Sequence, residues 1–390
     1  MFKREVYQEL IDLAKAYRVV TVTGPRQTGK TTLVRTAFPS HSYVSLEDPD
    51  VRTLAANDPR AFLRMYARPA IYDEIQRVPT LLSYIQTIVD ENATKGQLIL
   101  TGSHQLELSE AISQSLAGRT ALLTLYPLSF AEIPAAGSLS VDDHLYRGFL
   151  PAVHAENLNP TRYYRNYFQT YVERDVRKML QVKDLVQFET FMRLCAGRVG
   201  QLLNASSVAT EVGVSVHTIQ SWFSILEASY LMIRLPPFHA NVGKRLVKTP
   251  KLYFTDVGLA AYLLGIEAVE HLSHHPLRGS LFENMVVMEL IKARTNQGLD
   301  PNLFFYRDTN GNEIDVLFKQ GQDTYPIEIK SAMTFQSGFR KSLEYYRHIN
   351  PSGFKRGFII YAGDLLPLTD AVATLNFRDA AQALRSPGPG

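Results

Sequence analysis

A single cysteine, Cys195, stands among 390 residues, so no disulfide can form within the chain, and the reducing cytoplasm is the expected setting. No run of eighteen apolar residues occurs, which leaves nothing that reads as a membrane-spanning helix. The most apolar long stretch, 253–266, is interrupted by Asp256 and Gly258 and reads as a strand followed by a helix. Residues 1–17 lack the apolar core of a secretion signal and carry Lys3, Arg4, Glu5, Glu9, Asp12 and Lys15 at helical spacing. Charge of one sign is also scarce. The 41 Lys and Arg against 38 Asp and Glu leave a formal net charge of +3, which neither demands nor excludes a nucleic-acid partner. Internal repeats are lacking, and only the tail 386–390 reads as disordered.

What is present is the composition of a folded protein, 45% hydrophobic and 20% charged, in a chain long enough for two or three domains. Residues 1–135 alternate short apolar strands (19–22, 42–46, 70–72, 97–100 and 121–125) with helical stretches, the pattern of a parallel α/β sheet. Residues 136–200 turn helical and rich in Tyr and Arg, as a linker or lid would be. Residues 201–252 read as a compact helical unit ending in a basic turn. Within 253–385, a helix from about 275 leads into three strands with tight turns, then more helix and a strand at 357–361.

The stretch Gly24, Pro25, Arg26, Gln27, Thr28, Gly29, Lys30, Thr31 matches G-x-x-x-x-G-K-[ST] in full, and Thr32 follows it. It sits directly between an apolar strand and a helical stretch, the context of a loop that cradles the phosphates of MgATP. The two glycines permit backbone angles that aim several amides at one point, and the helix N-terminus adds partial positive charge there. Lys30 is placed to bridge the β- and γ-phosphates, and Thr31 to complete the Mg²⁺ shell. A second strand ends in Asp73 and Glu74. Asp73 is expected to hold Mg²⁺ through water. Glu74 is expected to polarise the attacking water, a role worth roughly 10²–10⁴ in rate. A third strand ends in Thr101-Gly102-Ser103, with Ser103 the first candidate to touch the γ-phosphate or that water and Thr101 the second. Arg119 closes Ser115-Leu116-Ala117-Gly118-Arg119, a helix end before the fifth strand, from which an arginine reaches a neighbouring subunit's γ-phosphate.

These segments resemble a prokaryotic AAA-type ATPase family in which a P-loop domain is joined to a C-terminal domain of unknown function. The resemblance rests on the loop 24–32, Tyr72-Asp73-Glu74-Ile75-Gln76, Leu100-Thr101-Gly102-Ser103, the Ser115 to Arg119 segment and Tyr126-Pro127-Leu128-Ser129. It continues through Tyr171-Val172-Glu173-Arg174-Asp175-Val176, Leu226-Glu227-Ala228-Ser229-Tyr230-Leu231, Phe254-Thr255-Asp256-Val257-Gly258-Leu259 and Glu328-Ile329-Lys330-Ser331. It implies an AAA-like sheet, a winged-helix segment and a restriction-endonuclease-like α/β C-terminal domain.

Residues 206–212, Gly213 to Ser215, and 216–229 read as helix, turn and helix, with Ser206 or Ser207 capping the first helix and Ser215 the second. Val208, Val212, Ile219, Trp222 or Phe223, and Leu226 form the buried stripe, leaving His217, Thr218, Gln220 and Ser221 outside. The second helix has no Lys or Arg before Arg234, which weakens a DNA-reading role. Lys244, Arg245, Lys248 and Lys251 form a basic run in a wing that can touch phosphates.

Further on, alternation puts Glu328 and Lys330 on one strand face, with Asp315 on the paired strand. This D…ExK pattern looks like a PD-(D/E)XK nuclease core, which implies Asp315 and Glu328 as Mg²⁺ ligands and Lys330 beside the attacking water. Glu283 either joins the metal shell or closes a Ser280-x-x-Glu283 capping box. Two functions follow. One is a homo-oligomeric ATPase, with a hexamer-like ring among its options, whose MgATP hydrolysis drives a winged-helix and nuclease-like module on DNA. The other is an ATP-dependent switch or scaffold that binds protein partners through an inert nuclease-like fold. A third option is a metal nuclease gated by ATP.

Overall fold

Five short runs of β-branched and aliphatic residues pair side by side in the first third of the chain. In the computed structural model, which describes residues 2–103, 115–134, 138–171, 184–238, 249–364 and 371–385, they form one all-parallel sheet. The order of elements is α1 (Tyr7–Ala16), β1 (Val19–Thr23), α2 (Lys30–Ala37), β2 (Ser42–Ser45), α3 (Pro49–Asn57), α4 (Pro59–Met65), β3 (Ala70–Asp73), α5 (Leu81–Glu91), β4 (Leu98–Thr101) and β5 (Thr120–Thr124). The strand order is β2-β3-β4-β1-β5. Alternate side chains enter two cores. Val20, Val22, Ile71 and Ile99 pack with Val6, Leu10, Leu33 and Val34 of the α1/α2 side. Ala70, Tyr72, Leu98 and Leu100 pack with Phe62, Leu82, Ile85 and Val89 of the α4/α5 side. Burial on both faces is why these strands read as continuous apolar runs, each large side chain contributing about 1.5–3 kcal/mol.

The strand tips differ from the sequence reading. β3 runs on to Asp73 because Ser45 pairs with it, and β4 runs on to Thr101 opposite Val22. Backbone pairing admits polar residues that hydrophobic patterning alone leaves out.

The chain divides into two units. One comprises Met1–Leu128 with Ala228–Leu231 and Thr295–Leu299, and the other comprises Ser129–Glu227, Met232–Arg294 and Asp300–Gly390. The expected segments 136–200, 201–252 and 253–385 thus fall together, apart from those short pieces. The second unit contains α6 (Val141–Arg147), α7 (Pro151–Ala155), α8 (Pro160–Tyr167), α9 (Leu185–Ala196), α10 (Ala205–Val212), α11 (Val216–Ala228), β6 (Met232–Leu235), β7 (Lys251–Phe254), α12 (Val257–Leu263), α13 (Arg278–Thr295), β8 (Leu303–Arg307), β9 (Glu313–Gln320), β10 (Asp323–Lys330), α14 (Lys341–Ile349), β11 (Gly357–Tyr361) and β12 (Val372–Asn376). Strands β8, β9 and β10 are antiparallel neighbours, and β11 and β12 extend the sheet in parallel. Leu343 and Tyr346 of α14 pack on Ile314, Leu317 and Ile359 of that sheet.

The α10–turn–α11 pair forms as expected, with Gly213 in the left-handed conformation and Ser215 Oγ accepting Thr218 N–H at 3.0 Å. Trp222 and Phe223 are both buried, against Phe188 and Phe191 of α9. The first cap is not Ser206 or Ser207 but Asn204, whose extended backbone lets its side chain accept Ser207 N–H at 3.0 Å. Glu283 closes no capping box, because α13 begins at Arg278 and Ser280 already lies inside the helix. Lys244, Arg245 and Lys248, the motif residues Val172, Glu173, Arg174, Asp175 and Val176, and the tail 386–390 lie outside the described residues. Among the described residues no helix is long and apolar enough to cross a membrane.

A buried carboxylate organises the middle of the second unit. Asp256 caps α12 by accepting Gly258 and Leu259 N–H, and it also accepts Tyr164 Oη–H at 2.6 Å and Phe149 N–H at 2.7 Å. Burial pushes its pKa up, against the Tyr164, Phe149 and Leu259 donors and the charge of Lys292. Asp256→Ala strands those donors in the interior and is expected to cost about 3 kcal/mol, read as a lower denaturation midpoint in urea.

Candidate functional site

The carboxyl ends of β1, β4 and β3, three neighbours in the first sheet, open toward one place, where ligands bind in open parallel sheets. The loop that follows β1 turns at Gly24, with φ of 135°. A side chain there would meet the Leu125 carbonyl oxygen at 2.2 Å, so only glycine fits. Gly29, with φ of 89°, caps α2. Pro25 and Thr28 are buried, Arg26 is half-buried, and Gln27 and Thr32 are exposed. Lys30 is buried and folds back on its own loop, donating to Gly24 O at 3.0 Å and Pro25 O at 2.7 Å. Burial depresses its pKa to about 8, opposed by the charges of Glu74 and Asp73. Two carbonyl oxygens thus compensate the buried ammonium.

Asp73 gathers three hydroxyls. Thr31 Oγ1 lies 3.0 Å from one carboxylate oxygen and 3.1 Å from the other, Tyr43 Oη lies at 2.9 Å, and Thr101 donates as well. Thr31 and Asp73 therefore meet directly, as a Mg²⁺ site of this kind requires, and the pair fits that ion. A magnesium site completed by substrate phosphates needs only one or two protein ligands. Glu74 takes a left-handed backbone, with φ of 57° and its N–H on Thr101 Oγ1 at 3.2 Å. Its carboxylate accepts from Ser103 Oγ at 3.1 Å and from Gln76 Nε2. Thr101 thus serves the two acidic residues directly, while Ser103 is engaged with Glu74.

Residues to which the sequence attached no role also build this site. Arg4 donates to Thr28 O at 2.6 Å and Tyr126 O at 2.7 Å, bracing the phosphate loop from the chain's beginning. Tyr230 donates to Thr23 Oγ1 at 2.8 Å and packs edge-on against Tyr126. Gln76 and Tyr230 stood inside conspicuous motifs, whereas nothing flanking Arg4 or Tyr43 marked them. Arg119 lies apart, in a turn before β5 at the opposite, amino-terminal edge of the sheet. There it makes a two-pronged bond to Asp90, at 2.7 and 2.8 Å. It does not reach the phosphate loop of its own chain.

In the second unit the expected acidic residues do come together, with company. Lys251, drawn out of the expected basic turn, is 3% exposed and pairs with Glu283 at 2.9 Å and Glu313 at 2.5 Å. Tyr253 Oη donates to Glu283 at 2.5 Å, and Arg307 pairs with Glu313 at 3.1 Å. Glu328 accepts from Lys330 and from Ser342 Oγ at 2.6 Å, and Asp315 accepts Ile329 N–H at 2.8 Å. Burial, reinforced by the charge of Asp315, pushes both Glu283 and Glu328 up to about 7. Burial works against the Lys251 ammonium, but Glu283, Asp315 and Glu313 together hold its pKa above the ordinary value. Each carboxylate named here already has a protein donor. Among the described residues no three Asp, Glu, His or Cys side chains are placed to hold a metal ion. As it stands, this set does not fit the divalent ion expected on Asp315 and Glu328.

Residues 16–134 match the family described as an AAA domain. The first unit is an AAA-type P-loop domain. Beyond this AAA domain, residues 138–270 and 278–377 each match a family described as a domain of unknown function. An uncharacterized protein of Mycobacterium tuberculosis is 29% identical over 366 residues, 92% of this chain and 79% of that one. One of Haemophilus influenzae is 24% identical over 409 residues, covering 94% and 98%. Among solved structures, a Walker-type ATPase of Pyrococcus abyssi matches at 13% identity and a TM-score of 0.47, over 67% of this chain and 96% of that one. AMPPCP-bound DnaA from Aquifex aeolicus matches at 14% identity and a TM-score of 0.26, over 56% and 86%. Likenesses this distant lend no residue role, so the roles at the AAA site are argued from its own geometry.

Proposed function

We propose that the chain hydrolyses MgATP at the loop Gly24 to Thr32 and uses the reaction to drive its second unit. The observation that carries this reading is the direct hydrogen bonding of Thr31 to Asp73 at 3.0 and 3.1 Å, with Glu74 the very next residue. Loop amides and Lys30 bind the β- and γ-phosphates. Thr31 and Asp73 would hold Mg²⁺, which when bound neutralises charge on the phosphate oxygens. Glu74 orients a water molecule for in-line attack on the γ-phosphorus and takes its proton as the bond to the β–γ bridging oxygen breaks. Ser103 and Gln76 steady the Glu74 carboxylate, and Thr101 steadies Asp73.

Arg119 acts across a homo-oligomeric interface, on the γ-phosphate of a neighbouring copy. Its place at the far edge of its own sheet supports an action in trans, and β5, which begins at the next residue, is an edge strand. What the motion acts on has two candidates. A winged-helix and nuclease-like second unit would act on DNA. A switch would engage protein partners instead. The switch is favoured by α11, which presents His217, Gln220 and Ser221 outward and carries no Lys or Arg, and by Lys251, which is withdrawn from solvent.

Three experiments test these assignments. Glu74→Gln keeps ATP affinity within about threefold and lowers turnover by about 10²-fold or more, measured by nucleotide titration and phosphate release. Undiminished turnover removes Glu74 as the base. Arg119→Ala lowers turnover with little change in affinity, and mixing it with Glu74→Gln protein restores part of the activity. No recovery in a verified mixed assembly argues against action in trans. The ATPase rate with single-stranded, duplex and branched DNA separates the two candidates. Stimulation supports the DNA machine, and an unchanged rate supports the switch.

A further inference from the structure

The acidic cluster of the second unit has the elements of a metal site and a feature such a site does not need. Glu283 on α13, Asp315 on β9 and Glu328 on β10 lie near enough that the charge of Asp315 acts on both glutamates and on Lys251 and Lys330. Glu313 joins them through Lys251. These four carboxylates face three cations, Lys251, Arg307 and Lys330. Even with all four ionised, only one negative charge is left over, which is poor compensation for a divalent ion. Without Lys251 two would be left, matching such an ion's charge.

The ammonium is also held in place. Lys251 pairs with Leu235 of β6 on one side and bridges to Leu202 on the other, so its backbone is fixed from both flanks. Its Nζ lies 5.7 Å from the centre of the Phe305 ring. Withdrawing it would leave Glu283 and Glu313 short of a partner inside the protein, the arrangement that is strongly destabilising for buried ion pairs. Nor are the oxygens free to turn toward an ion. Glu283 is tied by Tyr253, Glu328 by Ser342 and Asp315 by the Ile329 amide.

We propose that Lys251 is the resident cation of this cluster, standing in the place of a divalent ion, so that the nuclease-like site is metal-free and does not cut phosphodiesters. The proposal concerns the second unit alone and stands whether or not the ATP reaction proceeds as argued above.

Mn²⁺ titration of the nucleotide-free full-length chain, followed by electron paramagnetic resonance, tests it. Wild-type protein is expected to show no stoichiometric Mn²⁺ site that depends on Asp315. Lys251→Met, checked for its fold by circular dichroism, is expected to bind one Mn²⁺ per chain about 100-fold more tightly than wild type. The double variant Lys251→Met with Asp315→Asn should lose that site again. A wild-type site of one Mn²⁺ per chain that vanishes in Asp315→Asn overturns the proposal. A folded Lys251→Met that gains no binding overturns it as well. If Lys251→Met does not fold, the wild-type titration with its Asp315→Asn control decides alone: an Asp315-dependent site overturns the proposal, and its absence supports it.

Discussion

One carboxylate fixes the first unit's chemistry. Asp73 accepts from Thr31 at the start of α2, Tyr43 on β2 and Thr101 on β4, so a helix and two strands are registered on two oxygen atoms. Hydroxyls serve because each can turn to donate to the anion now and offer lone pairs to something else later. The next residue, Glu74, accepts the strain of a left-handed backbone, and its N–H returns to Thr101. Strain of this kind persists where surrounding bonds over-determine it, and here those bonds come from the residues that hold the neighbouring carboxylate.

The two acidic centres of the chain contrast in how they are compensated. At Asp73 the surrounding donors are neutral hydroxyls, and the nearby cation, Lys30, is spent on its own loop carbonyls. Positive charge from outside is therefore welcome. Around Glu283, Asp315, Glu313 and Glu328 the compensation is internal, from cations on β7, β8 and β10. Motif spacing is similar evidence in the two cases. Only the partners tell them apart.

That contrast also marks what was legible in the sequence. The phosphate loop, the acidic strand end and the parallel sheet could be read because each is encoded within ten or so neighbouring residues: a glycine pattern, a run of β-branched side chains, a change of period. The helix–turn–helix could be read for the same reason, although its first cap fell on Asn204 rather than Ser206 or Ser207, since several adjacent polar residues offered the same chemistry. Arg4, Tyr43 and Lys251 could not be read. Arg4 finds Thr28 and Tyr126 across 24 and 122 positions, and Lys251 finds Glu283 and Glu313, and no local pattern encodes such meetings. Lys251 misled outright, because a lysine beside other basic residues looks solvated until its pairing is seen. Ser280 and Glu283 misled in the same way, their spacing right and their helix already begun.

The edge strand β5 has a consequence for force. It begins next to a guanidinium anchored on Asp90 and ends beside Gly24, where the Leu125 carbonyl fills the space of the missing side chain and Leu125 N–H bonds Thr23 O at 2.8 Å. Extended backbone pinned along its length to β1 barely stretches. Such a segment behaves as a strut, so a displacement at its outer end is passed along the strand to the backbone at Gly24.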